Sequence, residues 1–173
     1  NLRTLLGATR ADLSREYTRR RHQSRCTSLC PDCLQGWDNQ RLHGALNWRL
    51  ALDMLDLAAG EELDPGRWFG QVDDLGVLLD GYLGPRSQSS VTESRGDLGI
   101  PVVRNGGYAL VVSHPLWARA GDGRSAAATS PAASIAAEVS AEGFDVVVTD
   151  PVEIRSAPVK VLHRFSPPKA SAS

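Results

Sequence analysis

The sequence predicts an α+β chain: a helical, zinc-stapled N-terminal half followed by a small α/β half with a short mixed sheet. Three observations predict it. All three cysteines fall between Cys26 and Cys33. Up to about residue 85 the apolar residues recur at helical spacing. Beyond residue 99 they come in short β-branched runs separated by turn residues. The expected organisation is a helical zinc-knuckle module over 1–85, a linker over 86–98, a small α/β module over 99–166 and a disordered tail over 167–173.

Residues 4–22 read as a helix with a patchy apolar face of Leu5, Leu6, Ala8, Leu13 and Tyr17. Residues 23–37 read as a compact knuckle punctuated by Pro31 and Gly36. The clearest helix is expected over 43–59, where Leu46, Leu50, Met54 and Leu57 form a stripe with Ala51, Leu55 and Ala58 beside it. Asn39 or Asn47 is placed to cap its start, and Gly60 to stop it. Asp64-Pro65-Gly66 is a turn. A shorter helix is expected over 68–83, with Trp68, Phe69, Val72, Leu75, Leu79 and Leu83 as its apolar set.

Residues 86–97 are rich in Ser and Gly and read as a surface loop. The period then changes. Ile100–Val103 and Tyr108–Ser113 read as strands joined at Asn105-Gly106-Gly107, a hairpin signal. A small-residue loop over 118–134, a helix over 132–142 and a strand over Phe144–Thr149 complete one expected right-handed βαβ unit. A last strand is expected at Val159–His163.

Apolar content of 42% is enough for a core. The formal net charge of −1 hides an asymmetry, since residues 1–50 hold nine Arg against four acids. That excess peaks at Arg15, Arg19, Arg20, Arg21 and Arg25, the candidate phosphate contacts. No run of about 18 apolar residues is present, so no membrane span is expected. The chain opens on Asn1, so it is expected to be processed or a piece of a larger protein; no signal peptide is visible at its start, and the clustered cysteines make the cytoplasm the expected compartment.

The segment Cys26-Thr-Ser-Leu-Cys30-Pro-Asp-Cys33 carries the strongest chemistry. A disulfide framework uses an even number of cysteines and spreads them along the chain. Clustered thiols instead point to a metal and a reducing compartment. The C-x-x-C unit turns two thiolates toward one ion, and Cys26 supplies a third. Three crowded thiolates repel one another unless a cation neutralises them. The expected cofactor is therefore structural Zn2+. Its fourth ligand is open: His43 at the start of the strong helix, His22 before Cys26, or a cysteine from outside the chain. His43 is taken as the first choice. A redox C-x-x-C lacks its βαβ context, and the H-x-E signature of zinc deaminases is absent.

The run from Cys30-Pro-Asp-Cys33-Leu through Asn39, His43, Trp48-Arg49 and Asp53 resembles a known module. It is similar to the cysteine cluster at the C-terminal end of large bacterial DEAD/DEAH-box helicases and helicase-associated proteins. Mitomycin-repair helicases and DISARM phage-defence proteins belong to this neighbourhood. The likeness covers about residues 26–56 and rests on the thiols, Asn39, His43, Arg49 and Asp53 agreeing together. The run from Gly99-Ile-Pro-Val-Val103 to His114-Pro-Leu-Trp117, then Asp145 to Val161, is similar to the end of the same helicases. The family module has four cysteines, and this chain has three. The resemblance implies an accessory module in DNA repair or phage defence, with DNA and helicase motor domains or a partner subunit as partners. The chain has no G-x-x-x-x-G-K-[ST] loop, so no ATP hydrolysis is expected of it, and no catalytic residue is assigned.

Two alternatives stay open. One is a nuclease-like domain, restriction-like or phospholipase-D-like. The His-x-Lys pair of the second kind is absent, and only Asp145, Asp150 and Glu153-Ile-Arg155 approximate the acids of a metal-dependent nuclease. The other is a protein-docking module. Ser113-His114 lacks a nucleophile elbow, and His114 is expected to cap a strand or pack on Trp117. Trp37, Trp48, Trp68 and Trp117 are candidate base-stacking residues. Trp48 lies off the main stripe of its helix and is the preferred contact residue.

Overall fold

A computed structural model describes residues 2–70, 72–83, 89–117 and 130–164. The chain divides into two compact units, Asn1–Asp64 and Pro65–Ser173. The architecture is α+β, with helices in the N-terminal half and a four-stranded mixed sheet in the C-terminal half.

The first unit has helices α1 (Leu2–Tyr17), α2 (Arg20–Gln23) and α3 (Trp48–Ala59), with a single 3-10 turn at Gln40–Leu42. The helix expected over 4–22 is broken at Thr18 and Arg19, so α2 is a separate turn. Asn47 caps α3 by accepting from the Arg49 amide, and Gly60 ends it with φ of 80°. That left-handed conformation is costly for any residue bearing a Cβ. A small core joins Tyr17, Cys26, Trp48 and Leu52, with Leu13, Cys30, Cys33, Leu34 and Leu55 packed around it. The cysteine knuckle is thus part of the core of this unit.

The buried face of α3 differs from the expected stripe. Met54 and Leu57 are exposed, whereas Trp48, Arg49, Leu52, Asp53 and Asp56 are buried. Trp48, the expected contact residue, has no exposed surface. Its indole N–H donates to the Cys26 carbonyl at 3.1 Å, and the Arg49 guanidinium lies 4.1 Å over its ring. Asp56 is paired with Arg10 on α1. Polar anchoring turned the helix against its hydrophobic periodicity.

The second unit begins with α4 (Gly66–Phe69) and α5 (Asp73–Leu83), in place of one helix over 68–83. Strands β1 (Val91–Arg95), β2 (Ile100–Asn105) and β3 (Tyr108–Val112) form an antiparallel meander. Helix α6 (Pro131–Ala141) precedes β4 (Asp145–Thr149), which lies parallel to β3. Gly106, with φ of 56°, makes the two-residue hairpin between β2 and β3. Helices α7 (Pro151–Ser156) and α8 (Pro158–Leu162) follow.

Both faces of this sheet are covered, which explains the continuous apolar runs of its strands. Val103, Leu110, Val112 and Val147 pack with Leu75 and Leu79 of α5 and Val161 and Leu162 of α8. Val102, Ala109, Val111 and Val148 pack with Ala132, Ile135 and Val139 of α6. Three expectations are corrected. The boundary falls at Asp64/Pro65 instead of residue 85, because the apolar face of α5 belongs to the sheet core. Residues 91–95 are an edge strand within the expected linker; the polar run Val-Thr-Glu-Ser-Arg hides it, since Val91, Thr92 and Ser94 meet solvent. Val159–His163 is not a strand, because Pro158 starts the helix α8 there. Residues 118–129 of the loop expected over 118–134, and the tail over 167–173, lie outside the described residues.

Candidate metal centre

Helix α2 and the loop after it bring four donors together. His22, Cys26, Cys30 and Cys33 each present a ligand atom, and all of these atoms lie within 4.8 Å of one another. His22 and Cys26 share one side of a helical turn, closed by the Cys26 amide on the His22 carbonyl at 2.8 Å. Cys30 and Cys33 sit on a tight turn, where the Cys33 amide donates to the Cys30 carbonyl at 3.0 Å. The Cys30 amide also donates to Cys33 Sγ at 3.2 Å, a bond that favours the thiolate.

The spacing of the sulfurs excludes a disulfide and suits a metal site. Cys33 Sγ lies 3.7 Å from Cys26 Sγ and 3.8 Å from Cys30 Sγ. A disulfide needs about 2.05 Å, and all three cysteines are free. Tetrahedral Zn–S bonds of about 2.3 Å place sulfurs about 3.8 Å apart. The observed separations match that edge length.

His22 is oriented as a ligand. Its Nδ1 lies 2.8 Å from the Tyr17 carbonyl, which only accepts, so Nδ1 carries the proton and Nε2 the lone pair. Nε2 is buried and has no hydrogen-bond partner. Leaving such an atom unsatisfied costs about 1–3 kcal/mol, and a cation at the cluster removes that cost. A carbonyl behind a ligating imidazole is the usual device for fixing tautomer and ring orientation. The ring is also wedged by aromatic neighbours, stacked 5.7 Å from Tyr17 and edge-on 5.2 Å from Trp48.

The rest of the knuckle is clamped by the start of α3. The Trp48 amide donates to the Ser28 carbonyl at 2.9 Å and Arg49 Nη1 to the Thr27 carbonyl at 2.9 Å. Burial pushes the Cys26 thiol up to about 12, with Cys30 and Cys33 reinforcing the rise. Burial raises Cys33 as well. It is also the first cause of the raised Tyr17 phenol, with Cys33 adding to it. Left to themselves, these groups stay protonated. A divalent cation reverses that balance and draws the thiolates out.

The site corrects the first choice of fourth ligand. His43 is outside the group, and its Nε2–H donates to the Gly36 carbonyl at 3.0 Å and to Asn39 Oδ1 at 2.8 Å. Asn39 Oδ1 in turn accepts from the Gly36 amide at 2.9 Å, and its amide nitrogen donates to the Leu34 carbonyl at 2.7 Å. Asn39 and His43 therefore close the loop that follows the cysteines. The sequence signal that favours His22, the second candidate, is the His-x-x-x-Cys spacing, which places two donors one helical turn apart.

The arginines divide into two groups. Arg15 pairs with Asp12 at 3.2 Å and Arg19 with Glu16 at 3.0 Å. Arg20, Arg21 and Arg25 are exposed and form no ion pair among the described residues. Arg20 and Arg21 share α2 with His22, and Arg25 adjoins Cys26.

The acids considered for nuclease chemistry are not assembled. Asp145 opens β4 and Asp150 follows its last residue, a separation of about 17 Å along a strand. Asp150 caps α7 by accepting from the Val152 and Glu153 amides at 2.7 and 2.8 Å. Glu153 accepts from Thr149 and is paired with Arg164. His114 is buried, accepts from the Leu116 amide at 3.1 Å and packs between Trp68 and Trp117, as its sequence context suggested. No helix among the described residues is long and apolar enough to cross a membrane. No family model, curated protein or solved structure matches the chain.

Proposed function

We propose that the first unit is a non-catalytic, zinc-stapled accessory module that contacts DNA, working within a larger repair or phage-defence assembly built around a helicase. The observation that carries this reading is the convergence of His22, Cys26, Cys30 and Cys33 on one point, beside three exposed arginines that form no ion pair among the described residues. Three thiolates and one imidazole suit Zn2+, and a set of four protein donors describes a closed structural site. Such an ion supplies folding free energy of about 10 kcal/mol or more. The ion adds to the small core of Tyr17, Cys26, Trp48 and Leu52 and to the α3 clamp in holding the knuckle. The resemblance of residues 26–56 to helicase-associated cysteine clusters supports the choice of DNA as partner. The cytoplasm, where thiols stay reduced, is the compartment that suits the site.

A salt-dependent gel shift on the zinc-loaded chain tests the reading. Replacing Arg20, Arg21 and Arg25 together by Ala is expected to weaken binding and flatten its salt dependence. Undiminished binding rejects the patch. A second reading, a protein-docking module, is favoured by one observation: Met54 and Leu57 of α3 are 61% and 51% exposed. Replacing both by Ser distinguishes it, because DNA binding is then unchanged while co-purification with a partner is lost.

A further inference from the structure

Trp37 is 90% exposed, whereas Trp48 and Trp68 are buried and Trp117 is half-buried. An indole is among the largest apolar groups a chain can show to water, and leaving it there forgoes stabilisation that burial gives. Nor is it displayed at the end of a slack segment. Residue 37 follows directly on Gly36, whose carbonyl and amide are both engaged, by His43 at 3.0 Å and by Asn39 at 2.9 Å. The loop starts directly after Cys33, so its base adjoins the cluster of four donors. Two of the residues that drew attention in the sequence, Asn39 and His43, thus serve to hold the tryptophan-bearing loop.

The charge around it selects the occupant. The same closed loop carries Arg41, exposed and without an ion pair among the described residues. Arg20, Arg21 and Arg25 flank the metal ligands on the other side in sequence. Against these cations stand the exposed acids Asp32 and Asp38. An exposed cation on the same loop as a bare aromatic ring, in a unit with three further exposed arginines, matches a polyanion bearing flat apolar groups. A base in a duplex already has both faces covered, whereas an unpaired base has faces to offer.

We infer that Trp37 is a base-stacking platform and that the nucleic acid this unit takes is single-stranded. The inference rests on the DNA-contacting reading above and adds strand selectivity to it. Trp37 supplies the stacking surface, Arg20, Arg21, Arg25 and Arg41 track the phosphates, and Asn39 and His43 are positioning residues.

The test uses the zinc-loaded full chain with two probes: an oligothymidylate of about 20 nucleotides, longer than single-strand site sizes, and a mixed-sequence duplex of similar length. Trp37→Ala is expected to weaken oligothymidylate binding roughly five- to 150-fold and to leave duplex binding unchanged. Trp37→Phe keeps a flat ring and is expected to retain most of the affinity. Tryptophan fluorescence provides a second readout: the oligonucleotide quenches the wild-type chain, and the quenching disappears in Trp37→Phe although binding persists. Equal single-strand affinity of wild type and Trp37→Ala, with the arginine variants still weakened, overturns the stacking inference and spares the DNA reading. Equal losses on both probes overturn strand selectivity. Absence of binding to either probe removes the DNA reading and this inference with it. A protein ligand that competes for Trp37 while neither nucleic acid binds assigns the loop to docking and overturns the inference.

Discussion

Replacing His22 by Ala tests the ligand set most sharply. Structural zinc sites contribute about 10–16 kcal/mol of binding free energy. Divided over four ligands, each is worth roughly 3 kcal/mol, or about 150-fold in affinity. The substitution removes Nε2, the nitrogen that is buried without a hydrogen-bond partner. It also removes the bond of Nδ1 to the Tyr17 carbonyl and the ring contacts with Tyr17 and Trp48. His22→Ala is therefore expected to weaken zinc binding about a hundredfold or more, read by competition with a chromophoric chelator near neutral pH. His22→Cys restores a donor at the same position and is expected to regain tight binding. His43→Ala removes only the bonds to Gly36 and Asn39, so its zinc affinity is expected to stay within about threefold of wild type. Wild-type affinity in His22→Ala, or a large loss in His43→Ala, refutes the assignment.

Further outcomes follow from the same geometry. The metal-free chain is expected to lose stability as pH rises from 9 toward about 12, because burial raises the Cys26 pKa from 9.0 to about 12 and the folded state then holds a proton the unfolded state has released. The zinc-loaded chain is expected to show the opposite slope, losing metal and stability on acidification as protons compete for the thiolates; thermal unfolding across pH with and without chelator checks both. Asn39→Ala is expected to destabilise the first unit by about 1–2 kcal/mol, because three bonds end on its side chain, while metal content stays unchanged by elemental analysis. Leu110→Ala, at a position with no exposed surface in the sheet core, is expected to cost about 2–5 kcal/mol in denaturant unfolding, again without loss of metal. The triple Arg20, Arg21, Arg25 variant is expected to lower the salt slope of single-strand binding by up to about 2.1, at about 0.7 for each phosphate no longer neutralised.

The fold class and most of the sheet were legible because their signals are local. Asn105-Gly106-Gly107 marks the hairpin, β-branched runs mark three strands, and the clustered thiols mark three of the four donors of the candidate metal site. What escaped notice was decided by long-range anchoring. The stripe Leu46, Leu50, Met54 and Leu57 is the strongest periodicity in the chain, yet Met54 and Leu57 face water. The orientation of α3 is set instead by the indole bond to the Cys26 carbonyl, the Arg49 bond to Thr27 and the pairing of Asp56 with Arg10. None of these partners is near α3 in sequence. The same clamp explains why Trp48, off the stripe, is a core residue. His43 looked like a ligand because a loop can fold back, but Asn39 captures it first. His22 stands among the sequence candidates, and its helical spacing from Cys26 is the signal that favours it over His43. Strand β1 escaped because it lies at the sheet edge and carries Glu93 and Arg95, whose ion pairs with each other and with Arg104 and Glu142 make a polar strand.

X-ray absorption at the zinc edge, on the full chain purified without chelator, tests the central claim most directly. The predicted result is one zinc per chain bound by three sulfurs at about 2.3 Å and one nitrogen at about 2.0 Å, with the nitrogen shell lost in His22→Ala. A chain that carries no metal, and whose three thiols react freely with the fold intact, contradicts it.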